Sequence, residues 1–273
     1  MNVRFIHWKI AAAVALMVVV VPALRVAATG AQSSQTAGGK QTKPKAAAPA
    51  KEQPMPFRAG EAVTYRVSWA AFSNAATLQL AVPERRDLFG WTTWHFRAAA
   101  HTINPVRMLF SVDDQFDSYT DVATLESRQF ELHLDELGRK QDQVLHFVAT
   151  GQPFRAPGPS VVVLPGTRDP LGALYELRAV DWQRMPELRA PVYDGRNLYE
   201  MRAGRQSAGE AITLAAGRFT ASRIVVRVFQ YEKEVAGIRF VLWLADNAAR
   251  APVVMQAEMP FGNLHAELVT ASN

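Results

Sequence analysis

The chain has 273 residues, 49% of them hydrophobic, with no cysteine and a formal net charge of +5. Residues 1–56 carry seven of its 30 basic and one of its 25 acidic side chains, so residues 57–273 hold 23 basic and 24 acidic groups. This balance gives no support for a nucleic-acid partner. The absence of cysteine excludes disulfides, thiolate metal sites and a cysteine nucleophile.

The N-terminal segment has the features of a secretory signal peptide. Arg4 and Lys9 precede an apolar run over residues 10–24, which ends at Arg25 and is followed by small residues around Ala28 and Ala31. The run is short for a membrane span, so we predict a signal peptide over residues 1–28 and export to the periplasm. The alternative is an uncleaved inner-membrane anchor, and membrane contact is expected only through this segment.

Residues 29–56 are rich in Ala, Lys, Pro and Gln and lack hydrophobic periodicity. This composition predicts a disordered linker. The composition of the sequence changes at Phe57, and we predict that residues 57–273 form a single β-rich domain.

Short segments of alternating polarity dominate that domain. In the first, Val63, Tyr65, Val67 and Trp69 alternate with polar residues, as expected of a strand with two unlike faces. Similar segments recur at residues 77–82, 91–100, 110–119, 130–134, 144–148, 161–164, 197–202, 211–214, 220–229, 238–244, 252–257 and 264–269. Their spacing predicts a mainly β fold: a strongly curved antiparallel sheet, or an open or closed β-barrel.

One helix is predicted in the domain, at about residues 169–180, DPLGALYELRAV. Asp169 suits the N-cap and Pro170 the first helical position. The segment is apolar on nearly all sides, which is typical of a buried helix. Arg178 continues an apolar stripe with Leu174 and therefore needs a partner. We expect this helix to be a plug or lid on the concave face of the sheet.

The chain lacks the common local signatures of catalysis. It has no Gly-x-Ser-x-Gly elbow, no Ser-x-x-Lys motif and no phosphate-binding glycine loop. His95, His133 and His146 fall on predicted strands and could converge, but none has the local spacing of a zinc site. We interpret them as polar strand residues and expect no catalytic residue, metal or cofactor.

An acidic run contains Asp113, Asp114, Asp117 and Asp121. It could bind a cation or place carboxylates for acid–base chemistry. We favour the simpler interpretation that one aspartate pairs with a buried arginine, with Arg178, Arg250 and Arg97 as partners, while the others cap turns. The candidates for structural ion pairs are Asp114, Arg178, Asp246 and Arg250.

Aromatic residues are the second suggestive set. On a curved sheet they could line an apolar groove for a lipid, an acyl chain or a hydrophobic peptide, or they could simply fill the core. The candidate ligand-binding residues are Trp69, Trp94, Phe116, Tyr175, Arg178 and Trp243.

Several motifs, in order, resemble the bacterial envelope family catalogued as domain of unknown function 3108. They are Pro56–Glu61 followed by Tyr65, Val67 and Trp69; Asp114, Ser118, Asp121, Leu125 and Phe130; Asp169–Leu171 through Leu177 and Arg178; and Trp243–Asp246, Arg250–Val253, Gly262, Leu264 and Leu268. The resemblance covers about residues 57–272. It implies an exported, mostly β protein and carries no established activity or catalytic residue.

Three functions are compatible with these features. We favour a non-enzymatic periplasmic binding or chaperone-like module for an apolar ligand. The alternative is a structural or assembly protein of the envelope that binds a protein partner. A weaker alternative is a glycan hydrolase that uses the Asp113–Asp121 carboxylates.

Overall fold

The computed structural model describes residues 54–150, 158–260 and 262–272, which form one 13-stranded sheet and two helices. The strands are β1 Glu61–Trp69, β2 Phe72–Leu88, β3 Trp91–Thr102, β4 Asp113–Asp121, β5 Ser127–Glu136, β6 Arg139–Ala149, β7 Ser160–Val163, β8 Glu187–Tyr193, β9 Leu198–Leu214, β10 Gly217–Gln230, β11 Lys233–Ala245, β12 Pro252–Glu258 and β13 Leu264–Ser272. The helices are α1 Val106–Leu109 and α2 Pro170–Ala179.

The strands form two meanders, β1–β7 and β8–β13, which are joined because β1 pairs with β13. Their order in the sheet is β7-β6-β5-β4-β3-β2-β1-β13-β12-β11-β10-β9-β8. All neighbouring pairs are antiparallel except β6 and β7, which are parallel. The first and last strands pair with each other, with Tyr65 opposite Leu268. The prediction of a strongly curved antiparallel sheet is confirmed.

The edge strand β8 meets the start of β5 through the segment that precedes α2, so the barrel is nearly closed. Ser127 in β5 donates its N–H to the carbonyl of Thr167 at 3.1 Å. The next residue, Arg168, donates its N–H to Pro191 at 2.9 Å and accepts from the N–H of Tyr193 at 2.8 Å, both in β8. We call this junction of Arg168 with β8 the seam. It covers backbone groups that an open edge strand would leave unpaired.

Helix α2 fills the interior because thirteen strands enclose more space than their own side chains occupy. Nine of its ten residues are buried, from Pro170 to Arg178. Its start is set as predicted, since Asp169 accepts from the N–H of Gly172 and Pro170 occupies the first turn. It ends where Val180 becomes extended. The predicted buried helix is therefore confirmed to within one residue at each end.

The structure corrects the predicted boundaries of several strands. The segments predicted at 197–202 and 211–214 are parts of the single 17-residue strand β9. Asp194–Asn197 form a loop of four residues between β8 and β9, in which Asp194 accepts from the N–H groups of Arg196 and Asn197.

The N-terminal prediction lies largely outside the described residues. The signal peptide over 1–28 and most of the linker over 29–56 precede residue 54, where the description begins. Neither helix in the part of the chain that the structure describes is long and apolar enough to cross a bilayer.

Candidate functional site

The N-terminus of α2 is fixed to β4 and β5 by a buried hydrogen-bond network. One oxygen of Asp169 caps the helix by accepting from Gly172 N at 2.8 Å. The other accepts from the hydroxyls of Ser118 and Ser127, each at 2.5 Å. Burial raises the pKa of Asp169, and these donors oppose that rise. A Cβ at Gly172 would lie 3.0 Å from the methyl group of Thr120, so a larger residue there would require its neighbours to shift by a few tenths of an ångström.

The C-terminal half of α2 carries a fully buried guanidinium, that of Arg178. The side chain of Arg178 is 1% exposed, and its Nη1 lies 2.7 Å from Oε1 of Glu61 at the start of β1. Its Nη2 donates to the carbonyl of Ala249 at 3.0 Å. The guanidinium also lies over the rings of Tyr175 and Phe57, at 5.1 and 5.5 Å from their centroids. Arg178 thereby joins α2 to β1 and to the loop between β11 and β12.

Arg178 is one of three arginines that the sequence offered as partners for an aspartate of the run Asp113–Asp121. The structure pairs Arg97 with Asp117 at 2.7 Å and pairs Arg178 with Glu61. The physical reason is the register of β1. Glu61 has the same parity as Val63 and Tyr65, so its carboxylate points into the barrel at the level of the helix C-terminus.

Further polar contacts hold α2 in place. Arg168 forms a buried ion pair with Glu176, at 2.7 Å between Nη2 and Oε1, and burial raises the pKa of that glutamate. Arg250 donates to the carbonyls of Ala179 and Val180 at 3.0 and 2.9 Å, which satisfies acceptors at the helix end. The hydroxyl of Tyr175 donates to Ala81 in β2 at 3.1 Å.

An apolar cavity separates α2 from the opposite wall of the barrel, formed by β8–β12. Its volume is about 40 Å³, and its lining includes Leu174, Leu177, Met201, Val226, Phe240 and Met255. Ligand pockets typically measure about 300–1,000 Å³. The interior is therefore almost filled in this conformation, and a ligand larger than a few atoms requires the helix or this wall to move.

Four of the six predicted ligand-binding residues point into the barrel. Trp94, Phe116, Tyr175 and Arg178 are all buried. Phe57 joins two of them, with its ring centroid 5.3 Å from those of both Trp94 and Tyr175. Phe57 and Trp94 thus pack together beside Tyr175 of α2, and none of these three side chains lines the cavity.

The other two predicted residues lie elsewhere. Trp69 is at the far end of the barrel, where it packs with Phe72 and Phe110 at centroid distances of 6.2 and 6.0 Å. Trp243 is on the outer face, where its indole N–H donates to Glu210 at 2.6 Å. The six residues do not form one groove, because Trp243 points to the outer face of β11 and Trp69 lies at the end of β1, away from the other four.

The remaining candidates for ion pairs bond to uncharged groups. Asp114 accepts from the N–H of Asp135 at 3.0 Å. Asp246 accepts from the hydroxyl of Ser222 at 2.7 Å. Arg250 donates to the two helix carbonyls described above. Of the four candidates, Arg178 is the one that the described residues place in a buried ion pair.

The acidic run does not form a pair of facing carboxylates. Asp113 and Asp117 point outward on β4 and Asp114 inward, because side chains alternate along a strand. Four residues of a strand span about 13 Å. This exceeds the roughly 5–9.5 Å between the two carboxyl groups of glycoside hydrolases. Asp113 pairs with Arg107, and Asp121 caps a turn by accepting from the N–H of Ala123. This geometry does not support the hydrolase alternative.

Several residues of the site were not foreseen from the sequence. Glu61 carried a usable signal, because an acid at an inward position of an alternating strand must find a partner inside. Ser118 and Ser127 carried no such signal in the sequence, since hydroxyl residues are common on strands. Phe57, and Phe96 whose ring stacks on that of Tyr175 with 3.8 Å between centroids, were not separable from other core aromatics.

These features define a class of protein, an antiparallel β-barrel whose interior is filled by one polar-anchored helix. The family DUF3108, described as a protein of unknown function, matches residues 64–269. The chain belongs to this family. No curated protein matches it.

Solved structures resemble the fold at low sequence identity. A β-barrel-like protein of the unknown-function domain DUF1849 from Brucella abortus is 10% identical, covers 78% of this chain and 96% of its own, and has a TM-score of 0.50. A candidate lipoprotein from Parabacteroides distasonis is 12% identical, with 80% and 97% coverage and a TM-score of 0.39. A candidate exported protein with a YmcC-like fold from Bacteroides fragilis is 10% identical, with 80% and 98% coverage and a TM-score of 0.37. The Brucella likeness concerns the fold alone.

Proposed function

We propose that this protein is an exported, non-enzymatic binding module of the cell envelope that takes an apolar ligand between α2 and the β8–β12 wall. One observation carries the proposal: α2 is anchored asymmetrically. Its polar contacts run to β1, β2, β4, β5 and the β11–β12 loop, whereas an apolar cavity separates it from the strands opposite. The apolar lining of this cavity suits a lipid, an acyl chain or a hydrophobic peptide.

The seam supplies the route by which the cavity can widen. Val192 lines the cavity and lies in β8, next to the two main-chain hydrogen bonds that join β8 to Arg168. Opening these two bonds frees an edge strand of seven residues while the anchors of α2 stay intact. A cavity of about 40 Å³ costs roughly 1 kcal/mol, and an apolar ligand that fills it recovers this cost.

Export is part of the proposal. The predicted signal peptide over residues 1–28 and the linker that follows it support a periplasmic location, free or held at the inner membrane. A non-enzymatic role is supported by Asp113 and Asp121 of β4, which are engaged in an ion pair and in capping a turn.

Native mass spectrometry of the protein purified from the envelope tests the proposal, followed by titration with a fluorescent fatty acid. We expect one bound apolar molecule per chain. Val226→Phe narrows the cavity and should weaken binding at least tenfold. Val144→Phe, on the outer face of β6, is the matched control and should bind like the wild type. A ligand-free protein that also fails to bind the fatty acid would refute the proposal.

A second candidate is a docking role, favoured by exposed apolar residues at the end of the barrel far from α2. Met108 and Leu109 in α1 are 80% and 60% exposed, and Leu137 is 44% exposed. The segment between α1 and β4 touches the β5–β6 turn, since Leu137 N donates to Ser111 O at 2.8 Å. Cross-linking in the envelope should capture a partner protein that Met108→Ser with Leu109→Ser loses. Met185→Ser, an exposed apolar residue elsewhere, should retain it.

A further inference from the structure

A cluster of metal-ligating side chains lies on the outer face of the barrel, away from α2. Asp117 in β4 and Glu131 and His133 in β5 place one oxygen or nitrogen each within 4.8 Å of the other two. Asp117 stands directly opposite Glu131 in the β4–β5 ladder, and His133 is two residues further along the same face. Three potential ligands from two adjacent strands thus converge on one point.

Asp142 orients the imidazole of His133 toward this point. Asp142 stands opposite His133 in the β5–β6 ladder, and its Oδ1 lies 2.7 Å from Nδ1. A proton on Nδ1 leaves the lone pair on Nε2, which lies 3.4 Å from Oε2 of Glu131. A lone pair that faces a carboxylate is repulsive unless a proton or a metal cation lies between them. A carboxylate behind a histidine is also the usual arrangement around a metal-bound imidazole.

Amide donors hold the two carboxylates in place. Nε2 of Gln115 donates to Oδ2 of Asp117 at 2.6 Å, and the amide of Gln129 donates to Oε1 of Glu131. Both glutamines are on the same face as the acids they orient. Such support fixes the rotamers of potential ligands before an ion arrives.

The charges of the cluster call for a divalent cation. Asp117, Glu131 and Asp142 contribute three negative charges. Arg97, whose Nε lies 2.7 Å from Oδ1 of Asp117, supplies one positive charge. His95 also contacts that oxygen, at 2.6 Å. The three carboxylates and Arg97 together sum to −2, and like charges directly opposite in a ladder are destabilising.

We propose that Asp117, Glu131 and His133 bind one divalent transition-metal ion, with zinc as the expected metal. One imidazole and two carboxylates favour zinc over magnesium or calcium, which prefer all-oxygen sites. Zinc requires bond lengths of about 2.0–2.2 Å, so the three ligand atoms must move closer together when the ion binds. The side chains of His133 and Glu131 are 39% and 20% exposed, so an open coordination position faces solvent.

The test uses the full chain, purified without a histidine tag and stripped with a chelator. Titration with Zn²⁺ followed by calorimetry should give one site per chain, and Co²⁺ should give visible d–d absorption bands. Saturating Zn²⁺ should raise the melting temperature by several degrees. Mg²⁺ at the same concentration should not.

Variants separate this site from surface histidines in general. His133→Ala and Glu131→Gln should weaken Zn²⁺ binding at least a hundredfold and tenfold, with unchanged far-ultraviolet circular dichroism in chelator. His101→Ala is the matched control, because His101 also contacts an aspartate, Asp113, on the outer face. It should bind Zn²⁺ within twofold of the wild type. The proposal fails if the wild type binds no Zn²⁺ below millimolar concentration, or if the His133 and His101 variants behave alike.

Discussion

Arg178 shows how far a single residue can be predicted. The apolar stripe of the helix indicated that its guanidinium would be buried and paired, and it is. The partner, Glu61, lies 117 positions earlier in the chain. No local pattern links the two residues, because strand order and register decide which carboxylate reaches the helix.

This environment predicts a large loss of stability for Arg178→Ala. The change leaves the carboxylate of Glu61 buried without its cation, which typically costs about 3–5 kcal/mol. Arg66→Ala is the control, since the Arg66–Glu267 pair has the same 2.7 Å distance but its side chains are 45% and 30% exposed. An exposed pair contributes about 0–1 kcal/mol. Urea unfolding measures both, and equal losses would show that burial does not set the cost.

A double variant separates charge from packing at the same position. Arg178→Met with Glu61→Gln removes both charges and keeps most of the volume. We expect this protein to recover at least half of the stability that Arg178→Ala loses, because no unpaired charge remains buried. No recovery would mean that the ring contacts of Arg178 with Tyr175 and Phe57 matter more than the ion pair.

At the scale of elements, local signals predicted the helix better than the strands. Asp169 and Pro170 mark a helix start that depends on neighbouring residues only, and the structure keeps it. Strand ends depend on pairing. β9 runs unbroken from Leu198 to Leu214 because β10 pairs along most of its length, although Gly204 and Gly209 interrupt the sequence pattern.

The seam is the element junction that we expect to open first. Two main-chain hydrogen bonds join Arg168 to β8, whereas eight register positions join β1 to β13. Local opening requires less free energy where fewer bonds break together. Hydrogen exchange should therefore be faster at the N–H groups of Arg168 and Tyr193 than at Tyr65 and Val67. A bound apolar ligand should change the exchange at the seam, and equal protection at both places would contradict this route.

At the scale of the molecule, alternation indicated a curved sheet but not how it closes. Closure depends on Thr167 and Arg168, which lie outside the predicted strands and bond to β5 and β8 through their backbones. Backbone pairing of this kind is independent of side-chain type, so the sequence carries little trace of it. The outer cluster of Asp117, Glu131 and His133 could not be predicted from the sequence for a related reason. Its residues come from two strands, and the register between these strands sets the distances.

The stability of the whole domain should depend on pH through two carboxyl groups near the end opposite α2. Burial raises the pKa of Asp114 to about 7. Burial, with the charge of Asp114, raises the pKa of Glu136 to about 7 as well. In the unfolded chain these groups titrate near about 4. Their stabilising contribution is therefore complete below about pH 4 and is lost as the pH rises through about 7.

We accordingly expect the free energy of unfolding to fall between about pH 4 and pH 7, by on the order of a few kcal/mol for the pair. Asp114→Asn keeps the acceptor for Asp135 N but cannot ionise, so it should flatten this dependence and raise stability at pH 8. Glu234→Gln is the control, because its partner Arg227 and its own side chain are about half exposed. It should leave the slope unchanged. Urea unfolding at several pH values measures the slopes, and equal slopes in the wild type and Asp114→Asn would show that Asp114 ionises normally in the folded protein.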